Sequence, residues 1–330
     1  IMPSRFTITS THSYPRFPGP TDHSPMNPIV LTLFFVMSAA TIGTSPSDAG
    51  EPKPNFAEGQ APDLGGGRFE LVPELSDEFD EDELNFSKWI WLDENWSGRP
   101  PGIFDANQVI VKDGQLWLTA DRIDEPFTLH GRTWTHRGAF VGSRLPADVG
   151  MYTEARMRVN ATFMSSTFWL MAYPTDTPEG RRSVELDVVE CVGVDSREHP
   201  DDPWWTKEWD QHYWLSVRNQ GPLPKQGLSQ AQIDADGPIT GRWRTFACWW
   251  KTPTDIWFFI DGERVAILHP EEGLPFNIPM RLRMVVETYD HNPPPAKGEP
   301  GSMYHPDGTK LSFEDRSTRY DYVRTWRVAE

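Results

Sequence analysis

The run QVIVKDGQLWLTA, residues 108–120, decides the fold class. It divides into two β-rich halves, Gln108–Lys112 and Gln115–Ala120, around Lys112-Asp113-Gly114. Asp-Gly supplies the positive φ that a tight hairpin turn requires, so the halves read as antiparallel neighbours. The same signal recurs at Asp261-Gly262, between Ile256–Ile260 and Arg264–Leu268. Further short β-rich runs lie between turn signals at Ala139–Ser143, Met151–Val159, Thr167–Met171, Val184–Val189, Tyr213–Val217, Trp243–Trp250, Arg281–Glu287 and Tyr320–Val328. Long amphipathic helices and a fixed repeat period are both missing. Roughly a dozen strands joined by hairpins predict two packed antiparallel sheets, and without a blade period the expected fold is an all-β jelly-roll sandwich rather than a propeller.

The domain is expected to span residues 68–330. Residues 50–67 are rich in Pro, Gly and charge and read as a linker. Ahead of them, the apolar run Ile29 to Ala40 follows Met26 and ends in small residues, which reads as the hydrophobic region of a signal peptide. Residues 1–49 are thus expected to be an upstream extension plus signal peptide, with a lipid-free anchor as the alternative. The run is too short for a firm membrane span. Secretion, or a periplasmic or cell-surface location, follows, with a monomeric product.

The 330 residues, 38% of them hydrophobic, suffice for one large core. A formal net charge of -17 repels polyanions and sets nucleic acid aside as a partner. The 15 tryptophans cluster at Trp89–Trp91–Trp96, Trp204–Trp205–Trp209–Trp214 and Trp249–Trp250. Flat aromatic faces of this kind suit sugar rings as well as cores. Two cysteines, Cys191 and Cys248, imply no disulfide framework, and one disulfide or two buried thiols are equally open.

Chemistry concentrates in Glu185-Leu186-Asp187-Val188-Val189-Glu190. Side chains alternate along a strand, so Glu185 and Asp187 share a face. Glu190 falls on the opposite face unless one extra residue is inserted, and a β-bulge at Val188-Val189 restores it. Three acids in a row repel one another and lose hydration, a costly arrangement for a merely solvated edge. Retaining glycosidases need two carboxyl groups about 5–5.5 Å apart, one to attack the anomeric carbon and one to protonate the leaving oxygen. Glu185 and Glu190 can meet that need, with Asp187 hydrogen-bonding between an ionised Glu185 and a protonated Glu190. No cofactor is required.

This segment resembles the catalytic E-x-D-x-x-E signature of glycoside hydrolase family 16. Further similarity lies in Phe69-Glu70-Leu71-Val72, Ser76-Asp77-Glu78-Phe79-Asp80, Val109 to Leu116, Gly150-Met151-Tyr152-Thr153-Glu154-Ala155-Arg156, Ser166-Thr167-Phe168-Trp169-Leu170, Phe258 to Gly262 and Tyr320 to Arg324. The resemblance implies a concave substrate cleft and endo cleavage with retention, Glu185 acting as nucleophile, Asp187 as assisting acid and Glu190 as acid/base. It also implies a structural Ca²⁺ on the convex side, held by backbone oxygens and one late aspartate, by position Glu78, Gly114 and Asp321.

Within the family, Asn95-Trp96-Ser97-Gly98-Arg99-Pro100-Pro101, the stretch from Trp204 to Tyr213, and Glu287-Thr288-Tyr289-Asp290 look most like the agarases and porphyranases. That likeness implies sugar contacts from Trp96, Arg99, Trp169, His212, Arg218 and Glu287, and a red-algal galactan as polysaccharide substrate. Trp96 beside Arg99, and Tyr213–Trp214 near His212 and Arg218, are expected to supply a mixed aromatic and polar lining. Alternative readings for Arg218 and His212 are a surface ion pair and a satisfied cleft-wall histidine. Between agarose and porphyran, net acidity tilts the choice to agarose. A laminarinase or lichenase, a transglycosylase, and a sugar-binding module are the competing readings, though a module would be expected to have lost one glutamate. His291–Asp315 departs from the pattern as an extended loop.

Overall fold

The computed structural model describes residues 51–197, 209–221, 227–270 and 275–330. The expected signal segment lies outside them. In chain order the first strands are β1 (Arg68–Leu71), β2 (Trp89–Ile90), β3 (Gly102–Phe104), β4 (Val109–Lys112), β5 (Gln115–Thr119) and β6 (Asp121–Leu129). Next come β7 (Arg132–Ala147), β8 (Tyr152–Arg158), β9 (Ser165–Thr177), β10 (Gly180–Val192), β11 (His212–Gln220) and β12 (Gly227–Asp234). The last are β13 (Trp243–Thr252), β14 (Asp255–Ile260), β15 (Glu263–Leu268), β16 (Met280–Val286) and β17 (Ser317–Ala329). Helical structure among the described residues is confined to two 3₁₀ turns, Pro73–Leu75 and Ala106–Gln108.

Two sheets form, as the hairpin signals require. The outer sheet runs β15-β14-β13-β8-β17-β5-β4, with β1 on β17; the cleft sheet runs β12-β11-β10-β9-β16-β7-β2, with β3 and β6 on β7. Among the named strands, pairing is antiparallel except for β3 on β7. Both Asp-Gly turns adopt the conformation their sequence demands: φ is 54° and 67° at Asp113 and Gly114, and 49° and 82° at Asp261 and Gly262. The strands expected from β-rich runs are all present, whereas β2, β3, β6 and β12 were not anticipated.

Alternation along each strand sorts side chains into three layers. Between the sheets, Leu186, Val188, Phe168, Leu170, Leu282 and Met284 meet Ala155, Met157, Phe246, Cys248, Trp250 and Tyr320. Cys191 and Cys248 are both buried there as free thiols. On the far face of the cleft sheet, Phe104, Phe140, Trp169 and Val285 form a second cluster with Ile90, Trp96 and Met171. A third cluster, Tyr152, Ala247, Trp249, Phe259 and Trp326, lies on the far face of the outer sheet.

That third cluster corrects the linker reading of residues 51–67. The segment carries no strand, yet it is docked on the outer sheet. Phe56 packs against Tyr152, Phe259 and Phe69, with ring centroids 4.9, 5.4 and 5.8 Å away. Backbone bonds fasten it: Asn55 N–H donates to Glu154 Oε2 at 3.0 Å, Ala57 N–H to the Gly262 carbonyl at 3.1 Å, and Trp326 Nε1 to the Pro52 carbonyl at 2.9 Å. A Cβ at position 262 would stand 2.4 Å from Ala57 N and 2.7 Å from Asn55 O, so this glycine serves close approach as well as its turn.

Candidate active site

The expected bulge lies on β10. From Asp187 to Glu190 this strand advances three residues while β11 advances two, from Ser216 to Trp214. Against β9 the shift falls between Asp187 and Val189, opposite Trp169 and Phe168. Val188 and Val189 consequently both enter the core, at 1% and 0% exposure, and Glu190 returns to the face of Glu185 and Asp187.

Register then brings a cation onto the acids. Arg218 stands opposite Glu185, and its Nη1 lies 3.1 Å from Glu185 Oε1. Its Nη2 is 3.8 Å from both Asp187 Oδ2 and Glu190 Oε2. Ser216, opposite Asp187, donates its hydroxyl to Asp187. Burial is the largest influence on Asp187 and pushes its carboxyl well above the usual range, with repulsion from Glu190 and Glu185 adding to it. Glu185 is raised by burial, against the pull of Arg218. Asp187, the most buried of the three, is thus driven to its neutral form, which suits it to hydrogen-bond with either neighbour.

The acids line a cavity of about 300 Å³ together with Asn95, Trp96, Arg99, Thr167, Trp169, Met171, Tyr173, Arg283 and Glu287. Trp96 meets Phe104 and Trp169 edge-on, at 4.6 and 5.7 Å between centroids, so its ring is held by neighbours rather than free to swing. Arg99 pairs with Glu287 at 3.0 Å. Glu287 is a buried wall residue, and burial pushes its carboxyl up to about 7 against the opposing pull of Arg99. Arg283 is 3% exposed and pairs with Asp93 at 2.9 Å, while Tyr173 donates to the same carboxylate at 2.6 Å. Arg99 and Arg218 keep 42% and 38% of their side chains exposed and are, among the described residues, the cavity's accessible cations.

Of the residues expected at the site, Glu185, Asp187, Glu190, Trp96, Arg99, Trp169, Arg218 and Glu287 are brought together. Arg218 pairs with the acids of β10, not with a surface acid. His212 is not brought in: it pairs with Asp234 at 3.0 Å and lines a separate cavity of about 590 Å³ with Asp210 and residues 234–240. Tyr213 turns to the core against Phe246, at 4.8 Å, because it is one residue out of phase with Trp214 on the acid face. Trp204 and Trp205 lie outside the described residues. Reasoning from sequence missed Asp93, Tyr173 and Arg283, which approach only through loop closure and strand register, and gave Tyr289 no role.

The one carboxylate of the expected cation set, Asp321, is already paired. Asp321 is engaged by Arg156 at 2.5 Å, and Glu78 accepts two bonds from Arg324, each 2.7 Å. A hard cation needs six to eight oxygen ligands, so one held here by backbone oxygens and Asp321 would compete with Arg156 for that carboxylate. No group of three or more acidic, histidine or cysteine side chains among the described residues converges as a metal site.

Two carboxylates on a bulged strand, facing a cavity walled by aromatic rings and hydrogen-bonding groups, define a glycoside hydrolase of the jelly-roll class. The chain belongs to glycoside hydrolase family 16: the family profile described as β-porphyranase A–D, GH16 domain, matches residues 69–328. It is 34% identical to β-porphyranase B of Zobellia galactanivorans over 309 residues, covering 92% of this chain and 98% of that one. The crystal structure of porphyranase B from the same organism superposes with a TM-score of 0.74 at 34% identity, covering 84% of this chain and all (100%) of the other. An extracellular agarase of Streptomyces coelicolor is 27% identical, over 68% of this chain and 75% of that protein.

Proposed function

We propose that this enzyme is an exported, retaining endo-porphyranase with Glu185 as nucleophile and Glu190 as acid/base. The observation that carries the chemistry is the bulged β10, which turns both glutamates to one cavity. Glu185 attacks the anomeric carbon as Glu190 protonates the departing glycosidic oxygen; Glu190 then removes a proton from the water that displaces Glu185. Asp187 passes its hydrogen bond between them as charge moves.

Porphyran is favoured over agarose on local charge. The net charge of -17 belongs to the whole surface, whereas the cavity presents Arg99 and Arg218 half-exposed. Arg99, held to Glu287 through Nε, can take a sulfate in bidentate fashion through its Nη groups, and Arg218 adds positive charge beside it. Similarity to β-porphyranases supports the same choice. Export rests on the apolar run 29–40, and among the described residues no helix is long and apolar enough to cross a membrane.

The test is to incubate the purified protein with porphyran, agarose, κ-carrageenan, laminarin and lichenan and to size the products. Even-numbered oligosaccharides from porphyran, with agarose cut at least ~10-fold more slowly, are expected. Release from laminarin or lichenan alone would overturn the substrate and leave the catalytic pair standing.

A further inference from the structure

Resting on that reading of Glu190, we propose that Tyr289 is the positioning residue for the acid/base, fixing its orientation and confining its transferable proton to Oε2. Tyr289 donates its hydroxyl to Glu190 Oε1 at 2.8 Å. The phenol is 4% exposed, and burial and the nearby Glu190 push it well above its ordinary range, so it keeps its proton. Its ring cannot wander. His291 stacks on it at 4.9 Å and 19°, Trp209 leans against it at 5.7 Å, and the Arg99 guanidinium lies 5.5 Å from its centroid.

The backbone beneath is pinned as firmly. Asn292 N–H donates to the Tyr289 carbonyl at 3.1 Å. Its fully buried side chain donates to the carbonyls of Phe163 and Val194, at 2.7 and 3.2 Å, and accepts from Ser196 N–H at 2.8 Å. The tight closure of residues 289–292 thus aims one phenol at one carboxyl oxygen.

A phenol has a single hydrogen, and Tyr289 commits it to Oε1. The acid form of Glu190 must then carry its own hydrogen on Oε2, the oxygen beside Arg218. In the first half-reaction that hydrogen moves from Oε2 to the glycosidic oxygen as the bond to the anomeric carbon breaks and Glu185 bonds to that carbon. Glu190 is left as a carboxylate. In the second, Oε2 takes a proton from the attacking water, and the bond to Glu185 breaks. Tyr289 retains its hydrogen throughout, but its bond tightens as Oε1 gains charge, so it is worth more in the transition state than before it.

The test compares Tyr289→Phe, which keeps the ring stack, with Glu190→Gln and with 3-fluorotyrosine at position 289. The charged groups around Glu190 are Glu185 and Asp187 on its strand, Arg218 on β11, and Arg99 with Glu287 across the cavity, and none is altered. Losing a bond to the charged form raises an acid, so Tyr289→Phe should move the alkaline limb of kcat/KM up by about 0.5–1 pH unit. For porphyran kcat/KM should fall ~10–100-fold, but for a dinitrophenyl oligosaccharide, whose leaving group needs no proton in the first half-reaction, by less than ~3-fold. Fluorotyrosine, the stronger donor, should move the limb the other way. An unmoved limb with equal losses on both substrates overturns the proposal while inactive Glu190→Gln keeps the catalytic reading. Near-native activity in Glu190→Gln overturns both.

Discussion

Glu154 on β8 and Asp187 on β10 are both buried carboxylates on interior strands of facing sheets, and burial pushes both upward. What covers them differs. Asp187 has acidic neighbours on both sides, a guanidinium at 3.8 Å and a cavity in front of it. Glu154 has Tyr152, Tyr322 and Arg324 around it and the docked segment 51–67 on top, with the Asn55 N–H in hydrogen-bond contact. A raised carboxyl is thus no signature of catalysis by itself. Coupled partners and an open approach make the one site chemical, and a lid of backbone and aromatic rings makes the other structural.

The strongest way to break this contrast is to neutralise acids on both sheets. Glu185→Gln and Glu190→Gln should each lower turnover by ~10³-fold or more without a large change in melting temperature, since each removes a bond-forming or proton-transfer step. Azide should rescue Glu185→Ala with an inverted product and Glu190→Ala with a retained one. Glu154→Gln should leave turnover within ~2-fold of native. A comparable loss in Glu154→Gln, or near-native activity in either cleft variant, removes the distinction.

Much of the cleft was legible because strand chemistry is local. Asp113-Gly114 and Asp261-Gly262 fix turns by φ alone. Period two, with one inserted residue, is enough to align Glu185, Asp187 and Glu190. The contact of Arg218 with all three depends on β10–β11 register, which no residue type announces. His212 shares the alternation of Trp214, Ser216 and Arg218 but lies at the strand end, beside Asp234. The docked segment was misread for another reason. Its Pro, Gly and charge match a linker, yet it is held by main-chain atoms of Pro52, Asn55 and Ala57 that composition does not report.

A smaller effect is expected from removing that segment. Beginning the chain at Arg68 uncovers Tyr152, Phe259 and Trp326 and deletes Phe56 and Leu64 from their cluster. Burial of two such side chains contributes ~3–6 kcal/mol before the entropy of ordering is subtracted, so a net loss of roughly 2–4 kcal/mol is expected. Calorimetry should show the midpoint lowered by ~5–10 °C. Activity per folded molecule at low temperature should persist, because the segment lies on the outer sheet. An unchanged midpoint would restore the linker reading.

The smallest effect, and the most diagnostic of the covered site, is in the pH dependence of stability. Burial raises Glu154 from 4.5 to about 7, so between those values the folded state binds more protons than the unfolded one. Stability attributable to Glu154 is therefore complete below about pH 4.5 and lost as pH rises through about 7, by up to ~3 kcal/mol. Glutamine keeps an oxygen for the Asn55 N–H but cannot ionise. Glu154→Gln should match the native protein near pH 4.5 and exceed it at pH 8 in urea denaturation. Glu287 and Asp187 slope in the same direction but do so in both proteins, so the difference between the two curves isolates Glu154. In a chain beginning at Arg68 the same substitution should lose most of its effect, because water then reaches the carboxylate that Asn55 and Phe56 had covered. Parallel pH curves for the longer pair would show that the segment does not desolvate Glu154. A difference persisting in the shorter pair would assign its burial to Tyr152 and Tyr322 within the sheet.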